Sequence, residues 1–350
     1  WIMAYTPIDK SSDYFNTNLY TGNNTETFHA VGFQPDWTWL KVRNANGGHF
    51  LFDSVRGATK NLRSDTSSAE ATDAQTLKSF DSNGYTVGTS NSVNTNTETM
   101  VGWNWLANNT TGSTNTAGSI NSTVAVNTTS GFSIVSYVGT GNAETVGHGL
   151  GVKPDMIFSK PYSTAGDWNV YNDSFAAQQR IKLNSTAGVS TNSGIFSSLP
   201  TSTLVSIGTS GDINASGTSH LFYCFNSVQG YSKFGSYTGN GNADGTFIYT
   251  GFKPAFTLIK RTDSATGGSW ILFDNKRGTN VINPVDVVLA ASNNQTEADW
   301  GTTYDCDYLS NGFKWRFDGT AGYNNASGAT YIYMAFAENP FVTSTGVPAC

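Results

Sequence analysis

The sequence predicts an all-β fold of three tandem antiparallel β-sandwich-like repeats, each about 100 residues long, with little helix. Three observations predict it. A glycine-rich turn with a Gly-apolar-x-Pro element occurs three times, short strand-like runs follow each occurrence, and Ser, Thr, Asn and Gly dominate between the runs. These four residue types compete with or weaken helical hydrogen bonding, so long helices are not expected.

The glycine-proline element marks the start of each repeat. It lies at Gly32–Pro35, Gly151–Pro154 and Gly251–Pro254, and each copy is preceded by a turn containing Gly and Asn. The interval between copies is about 100 residues, which is the size of one small β-domain.

Each element is followed by strand-like runs in a fixed order. The first runs all end on lysine, at Trp37–Lys41, Met156–Lys160 and Phe256–Lys260. The second runs begin at an aromatic residue and reach an aspartate, at Phe50–Asp53, Trp168–Asp173 and Trp270–Asp274. The same order in each copy predicts the same succession of strands.

The last run of each repeat is the most apolar. These runs are Met100–Trp105, His220–Phe225 and Tyr331–Phe336. Apolar residues at successive positions indicate a central strand that is covered on both faces. Ser-Asn-Gly-aromatic turns at 82–85 and 310–313 predict tight hairpins, in which Asn-Gly supplies positive φ angles.

The domain boundaries follow from these runs. They are an N-terminal connector (1–13), a first unit (14–106), a polar linker or hairpin (107–130), a second unit (131–228), a third unit (229–342) and a C-terminal tail (343–350).

Three further expectations concern the connections. Ile120, Val124 and Val126 alternate within the polar stretch, so part of it is expected to form an extra hairpin on the second unit. The second and third units have no linker and are expected to pack closely. Ser68–Phe80 has the best helix signal of the chain, and predicts a short helix or turn.

Composition and charge exclude several classes of partner. The 350 residues are only 13% charged, with a net charge of −6 and no basic stripe, so nucleic acid and anionic membranes are not expected partners. The sequence contains no run of about 18 apolar residues, so no membrane span is predicted. The low charge suits an extracellular or particle surface. Because the chain starts at Trp1 rather than Met, we expect it to be a piece of a longer polypeptide.

Two repeated acid and base pairs are the first candidates for catalysis. Asp53 with Arg56 and Asp274 with Arg277 occupy the same place in the first and third units. Recurrence at one place favours a turn held by a charged hydrogen bond over a catalytic pair. No Gly-x-Ser-x-Gly elbow is present. No catalytic residues are therefore predicted.

The candidates for metal and cofactor binding are weak. The histidines are isolated from other ligand types, which favours packing roles for His29, His49, His148 and His220. The loop Gly239–Gly245 is interpreted as a hairpin turn, since a strand-like run follows it rather than a helix. A nucleotide-binding loop and a calcium site are the alternatives for this loop, although it offers calcium a single carboxylate. Separately, Asp305 and Asp307, near Asp299, form the densest acidic group and are a candidate for holding a cation. No metal and no cofactor is predicted.

The cysteines do not form a disulfide framework. Cys224 lies in an apolar run and is expected in the core, while a bridge between Cys306 and Cys350 is left open.

Aromatic residues are the remaining candidates for binding. Sugar-binding surfaces use exposed Trp and Tyr rings. Trp300, Trp315 and Tyr323 lie in or beside variable segments of the third unit and are the first candidates; further ligand-binding residues are not predicted. The tryptophans inside strand runs are expected in the core: Trp37, Trp39, Trp103, Trp105 and Trp270.

Four long motifs stand out in the sequence: Met3–Phe15 (MAYTPIDKSSDYF), Val31–Gly57, Gly230–Asn240 (GYSKFGSYTGN) and Ala326–Glu338 (ASGATYIYMAFAE). They resemble a large family of marine bacteriophage virion proteins, the tail fibre-like structural proteins of the cyanophage and pelagiphage type. The similarity covers nearly the whole chain. The resemblance implies the C-terminal triple-repeat region of such a protein, with no catalytic residues to carry over.

Three functions are weighed against each other. The first is a non-enzymatic virion structural and adhesion module, such as a tail fibre, appendage or capsid decoration protein for host attachment. Its expected partners are other virion subunits, further copies of itself and a host surface glycan or receptor. The second is a lectin-like carbohydrate-binding module. The third, a glycan depolymerase, needs two carboxylates set across a cleft, and no such pair is evident in the sequence.

Overall fold

The chain is built almost entirely of antiparallel β-sheets, as the sequence predicts. The computed structural model describes residues 5–264, 268–278, 283–299, 301–320 and 322–346. Within these residues the helices are single turns: α1 at Asn91–Asn94, α2 at Gly211–Asn214, and 3-10 turns at Ser11–Asp13 and Gly301–Tyr304. No helix in the described ranges has the length and apolar character needed to cross a bilayer.

The first unit contains a six-stranded and a three-stranded sheet. Its strands are β1 (Phe15–Thr21), β2 (Thr27–Ala30), β3 (Trp37–Val42), β4 (His49–Asp53), β5 (Lys60–Arg63), β6 (Ala71–Thr72), β7 (Leu77–Asp81), β8 (Gly84–Val87) and β9 (Thr99–Trp105). The large sheet has the order β1-β9-β3-β4-β5-β6, and the small sheet has the order β2-β8-β7.

The second unit contains an eight-stranded and a two-stranded sheet. Its strands, with those of the preceding polar stretch, are β10 (Ser113–Asn115), β11 (Ser122–Asn127), β12 (Phe132–Val138), β13 (Glu144–Gly147), β14 (Met156–Pro161), β15 (Asn169–Asn172), β16 (Gln179–Lys182), β17 (Ser190–Thr191), β18 (Leu204–Ile207) and β19 (Ser219–Phe225). The orders are β10-β11-β12-β19-β14-β15-β16-β17 and β13-β18. The polar stretch thus forms a hairpin that extends the large sheet.

The third unit again contains a six-stranded and a three-stranded sheet. Its strands are β20 (Ser232–Thr238), β21 (Phe247–Tyr249), β22 (Phe252–Arg261), β23 (Ile271–Asp274), β24 (Val287–Ala290), β25 (Ala298–Asp299), β26 (Cys306–Leu309), β27 (Gly312–Trp315) and β28 (Thr330–Pro340). The orders are β20-β28-β22-β23-β24-β25 and β21-β27-β26. These match the orders of the first unit strand for strand.

The inner faces of the three large sheets meet in one shared hydrophobic core. In each unit, two central strands supply it from four positions of matching register. These residues are Trp37, Trp39, Trp103 and Trp105; Met156, Phe158, Tyr223 and Phe225; and Phe256, Leu258, Met334 and Phe336. All are at most 1% exposed. Burial of each such side chain stabilises the fold by roughly 1.5–3 kcal/mol.

Aromatic rings cross the unit boundaries within this core. The ring centroids of Trp37 and Tyr223 are 4.5 Å apart, and those of Trp105 and Phe256 are 5.8 Å apart. Phe225 and Phe336 join the second and third units at 6.0 Å. The three units therefore share their interior and pack as one body.

The outer faces of the large sheets pack against the small sheets in three separate cores. In the first unit this core contains Leu40, Phe52 and Tyr85, and similar clusters lie in the second and third units. The central strands β9, β19 and β28 are consequently buried on both faces, which confirms the prediction from their unbroken apolar runs.

Of the short helix or turn predicted for Ser68–Phe80, the turn is present and the helix is not. This stretch contains β6, a turn and most of β7 instead. Its backbone pairs with β5 and β8, and the amide of Glu70 donates to the carbonyl of Tyr162 in the second unit. Contacts with neighbouring strands thus outweigh the helix propensity of Glu70 and Ala71.

The Ser-Asn-Gly hairpins are present, but their glycines serve a different purpose from the predicted one. Gly84 pairs with Asp81 and Gly312 with Leu309 across two-residue loops. Neither glycine has a positive φ. A Cβ on Gly84 would lie 2.0 Å from the carbonyl oxygen of His29. Glycine is required there because the neighbouring strand approaches closely.

Candidate functional site

The two Asp-x-x-Arg pairs are fully buried and hold turns, which is the role that the sequence favours. The Nε of Arg56 donates to Asp53 Oδ2 at 2.6 Å, and its backbone N–H donates to Oδ1 at 2.8 Å. Arg277 makes the same bonds to Asp274, with 2.6 Å from Nε. Burial lowers the pKa of each guanidinium, but the adjacent carboxylates, first the aspartate and then the glutamate, raise it by more. Both pKa values therefore lie above the usual range.

Each pair extends to a glutamate. Arg56 Nη1 donates to Glu70 at 2.8 Å, and Arg277 Nη1 donates to Glu297 at 3.3 Å. Glu297 also accepts two bonds of 2.8 Å from Arg43, which belongs to the first unit. Bidentate pairing of this kind fixes geometry as well as charge. The third unit is thereby bonded to the first.

The aspartates also accept hydrogen bonds from neighbouring units. Tyr223 OH of the second unit donates to Asp53 Oδ2 at 2.7 Å. Trp103 Nε1 of the first unit donates to Asp274 Oδ2 at 2.9 Å, and the guanidinium of Arg277 lies 5.6 Å from the centroid of the Trp103 ring. Both Asp-Arg-Glu chains are therefore interface elements.

The second unit carries a neutral version of this arrangement. Asn172 has the register position of Asp53 and Asp274, and Phe175 lies three residues later in place of an arginine. Val189 has the position of Glu70 and Glu297, and its backbone amide bonds to the third unit as theirs bond to the neighbouring units.

At the interface between the second and third units, the side chain that would donate a hydrogen bond to the aspartate is also missing. Met334 of the third unit has the register position of Trp103 and Tyr223, and its side chain has no hydrogen to donate. Loss of the donor accompanies loss of the aspartate, arginine and glutamate. The interface between the second and third units therefore has no unpaired charge at this position. An interface of low dielectric requires this, because an unpaired buried charge is strongly destabilising.

A backbone bond closes each of the three interfaces in the same way. The amides of Glu70, Val189 and Glu297 donate to the carbonyls of Tyr162, Thr262 and Arg43 at 2.8 Å each. Indole N–H groups add to two interfaces: Trp168 donates to Arg63 O and Trp270 donates to Lys182 O, each at 2.8 Å. The first unit has His49 at the corresponding position, near the carbonyl of Ala290.

The lysines that end the first strand run of each unit are buried. Lys160 Nζ donates to the carbonyls of Ser67 (3.0 Å) and Gly166 (2.5 Å), while Lys260 Nζ donates to those of Thr186 (3.0 Å) and Gly268. Ser67 and Thr186 belong to the preceding units.

Burial shifts the titration of these lysines. It lowers the pKa of Lys41 and Lys160 to about 8 and that of Lys260 to about 7. The sequence shows the recurring lysine but not its burial, because a run-ending lysine is usually solvated.

The histidines pack as the sequence suggests. His49, His148 and His220 are buried, and the ring of His29 lies 3.9 Å from that of Tyr20. Burial lowers the pKa of His29 and His220 to about 4. In the described part of the chain, no three His, Cys, Asp or Glu residues are placed to hold a metal ion.

The acidic group around Asp305 does not form a cation site among the described residues. Burial, followed by repulsion from Asp286, Asp299 and Asp307, raises the pKa of Asp305. Cys224 is buried in the core as predicted, and Cys306 is buried as well. Cys350 lies outside the described residues, and so does the pairing left open for it.

The tryptophans assigned to the core are there, but one binding candidate is wrong. Trp315 is 0% exposed, and its Nε1 donates to Tyr237 OH at 3.0 Å. Tyr323 is partly exposed and lines a cavity of about 80 Å³ with Tyr304. Trp300 lies outside the described residues.

An open cleft lies where the start of the chain crosses the third unit, and sequence reasoning missed it. Tyr5, Gln229, Lys233, Tyr249 and Gly251 are among its lining residues, and its volume is about 350 Å³. The hydroxyl of Tyr5 donates to Gly251 O at 3.0 Å and lies 3.3 Å from that of Tyr249. Burial and the contact with Tyr249 raise the pKa of Tyr5 to about 12.

Tyr249, one of the lining residues of this cleft, is 55% exposed. Phe247 is 43% exposed and lies two residues away, outside the lining. Both lie on the outward face of β21, the edge strand of the small sheet, while Ile248 between them is buried. Exposed rings beside a polar cleft are typical of a binding surface.

A larger groove of about 480 Å³ lies between the second and third units. Its lining includes Val189, Thr262 and Thr330, where the other interfaces carry Arg43 or Tyr162 in place of Thr262. The hydroxyls of Thr262 and Thr330 bond to each other at 2.6 Å. The aromatic ring of Tyr331 in its lining is fully buried.

Comparisons with known proteins give one match. Residues 10–340 match the family described as Domain of unknown function (DUF7483). No curated protein and no solved structure is significantly similar to the chain. Since the matched residues cover almost all of the sequence, the chain belongs to the DUF7483 family.

Proposed function

We propose that the chain is a non-enzymatic structural and adhesion module of a bacteriophage virion, such as a tail fibre, an appendage or a capsid decoration. The observation that carries the proposal is the use of the polar and charged residues. The buried Asp-Arg-Glu chains and the buried lysines join the units to one another. The carboxylates and lysine amines that could act as catalytic acids or bases instead stabilise the contacts between units.

The shape of the interior supports the same proposal. Three sheets that share one core form a rigid body with loops directed outward, and binding residues are commonly carried on loops held by such a scaffold. The sequence resemblance to phage virion proteins adds the particle surface as the location. Other virion subunits and further copies of the chain are the proposed partners.

Particle imaging tests this proposal most directly. A phage encoding the chain with a small peptide tag would be imaged with a tag-specific antibody fragment by electron microscopy. Label at regular positions on intact particles is the expected result. Absence of the tagged chain from purified infectious particles, with the protein present in the infected cell, would refute the virion role.

A second candidate is a lectin-like carbohydrate-binding module. The specific observation in its favour is the cleft with exposed Tyr249 and the fixed ring of Tyr5. A depolymerase has less support, because Asp53, Glu70, Asp274 and Glu297 are held in buried or mostly buried ion pairs. Release of reducing ends from host polysaccharide would be the assay for that activity.

A further inference from the structure

We propose that the cleft between Tyr5, Tyr249 and Lys233 binds an acidic saccharide, in which a carboxylate or sulfate group is carried on a sugar ring. The inference rests on the adhesion part of the proposed function and names the ligand class and the residues. It is argued from the rings, the charge and the size of the cleft.

The two tyrosines provide a pre-formed aromatic surface. Tyr5 is held by its bond to Gly251 O and by contact with the hydroxyl of Tyr249. Gln229 lies beside the two tyrosines in the lining of the cleft. Tyrosine rings fixed in this way offer a large contact area at low conformational entropy cost. The apolar face of a sugar ring can lie on the half-exposed ring of Tyr249, while its hydroxyls reach the polar rim.

Lys233 supplies a charge that nothing in the described chain neutralises. Most exposed lysines in the described ranges pair with a carboxylate, as Lys153 does with Asp173 and Lys253 with Glu338. The fully buried lysines donate to carbonyl groups. Lys233 is exposed and makes no ion pair with a described residue, so it is available to an anionic ligand.

Lys276 shows that an unpaired lysine alone does not make such a site. It also lacks an ion pair among the described residues, but it lines a cavity of only about 80 Å³. The aromatic residue of that cavity, Phe15, is buried. The combination of free charge, exposed rings and room is therefore specific to the cleft in this comparison.

The size of the cleft limits the ligand to a small part of a glycan. Sites for small molecules have volumes of about 300–1,000 Å³, and the cleft, at about 350 Å³, lies near the lower end. One or two sugar units would occupy it, with the rest of the glycan in solvent. The net charge of −6 on the whole chain disfavours long-range attraction of polyanions, so local contacts must supply selectivity.

The test uses the purified full chain and an array of oligosaccharides in three classes: uronic acid, sulfated and neutral. Oligogalacturonate and its methyl ester form a matched pair, because esterification removes the charge and keeps the ring. The variants are Lys233→Gln and Tyr249→Ala. The matched controls are Lys276→Gln, another unpaired lysine, and Phe28→Ala, which removes a 50% exposed aromatic residue from edge strand β2.

We expect binding to members of one acidic class at least tenfold tighter than to their neutral counterparts. Lys233→Gln should abolish this preference, Tyr249→Ala should weaken binding of both forms by at least tenfold, and the two controls should bind like the wild type. Binding to the uronic acid class would identify a carboxylate as the recognised group, and binding to the sulfated class would identify a sulfate.

Two results would overturn the proposal. One is the absence of binding to every acidic probe, and the other is acidic binding that Lys233→Gln and Tyr249→Ala leave unchanged. Circular dichroism of each variant verifies the fold. The labelled-particle experiment is independent of the array, so a failed cleft and a failed virion role give different results.

Discussion

Arg56 is a charged residue whose removal should destabilise the fold strongly. Its guanidinium is 0% exposed and contacts Asp53, Glu70 and the carbonyl of Leu51. Arg56→Ala leaves the buried carboxylate of Asp53 without its cation, and leaves Glu70 with only a longer contact of 3.8 Å to Lys60. We expect the free energy of unfolding to fall by about 3–5 kcal/mol, measured by urea denaturation at pH 7.

An exposed pair provides the control for this prediction. Arg316 Nε lies 2.8 Å from Asp307 Oδ2, and the Arg316 side chain is 47% exposed. Arg316→Ala should change the free energy of unfolding by less than about 1 kcal/mol. Equal effects of the two substitutions would show that the Arg56 contacts do not stabilise the interface.

The buried lysine of the third unit predicts a pH dependence of stability. Burial lowers the pKa of Lys260 to about 7 from its ordinary value of 10.5. Between these pH values the unfolded chain binds a proton that the folded chain does not, so the free energy of unfolding rises with pH. The same sign holds for Lys41 and Lys160 above about pH 8.

Urea denaturation at pH 7.0 and 9.0 measures this effect. Buried tyrosines act in the opposite direction only near and above their ordinary pKa of about 10. Buried Cys224 and Cys306, whose pKa values burial raises, also oppose the lysines towards pH 9, so the comparison with Lys260→Met is what isolates Lys260. The wild type should be more stable at the higher pH, and Lys260→Met should reduce the difference. Lys10→Met, at an exposed lysine, is the control. An unchanged difference in Lys260→Met would contradict the assignment.

At the scale of elements, the neutral interface of the second unit suggests an exchange experiment. The second unit has Asn172, Phe175 and Val189, and the third has Met334, where another interface has Asp53, Arg56, Glu70 and Tyr223. A consistent apolar set avoids the desolvation of charges.

We therefore expect the fourfold variant Asp53→Asn, Arg56→Phe, Glu70→Val, Tyr223→Met to be more stable than Arg56→Phe alone. The expected difference in the free energy of unfolding is at least about 1 kcal/mol, because the single change leaves Asp53 buried without its cation and weakens the pairing of Glu70. Urea denaturation of both variants measures it. A fourfold variant that is less stable than the single one would mean that the three interfaces are not interchangeable.

The strands were predictable from the sequence where their pattern is local. The unbroken apolar runs of β9, β19 and β28 correctly indicate strands covered on both faces. The shared core was not predictable in the same way, because hydrophobic residues on the inner and outer faces look alike in sequence. Trp315 was misassigned for a related reason: the variable segments around it gave no sign of its contact with Tyr237.

The cleft was beyond reach of the sequence for a topological reason. Tyr5 and Tyr249 are 244 residues apart, and only the folded chain brings their hydroxyls together. Each residue by itself is an ordinary surface tyrosine. The role of Asp53 and Arg56 in a turn could be inferred because they are three residues apart, whereas the contact of Asp53 with Tyr223 spans 170 residues and could not.

At the scale of the whole molecule, the shared core makes the three units depend on one another. Phe15, Phe225 and Phe336 belong to different units and lie in one cluster, with centroid distances of 5.0 and 6.0 Å from Phe336 to the other two. Removal of one unit would expose the inner faces of the other two. A scaffold of this type is expected to resist the local opening of any one unit.

The cooperativity of unfolding tests this central claim most directly. The measurement is urea denaturation of the full chain, followed by tryptophan fluorescence, by far-ultraviolet circular dichroism and by hydrogen exchange of β9, β19 and β28. One shared core predicts a single transition with the same midpoint for all three probes and all three strands. Separate midpoints for the three strands would contradict the account, since units that unfold independently cannot depend on a common interior.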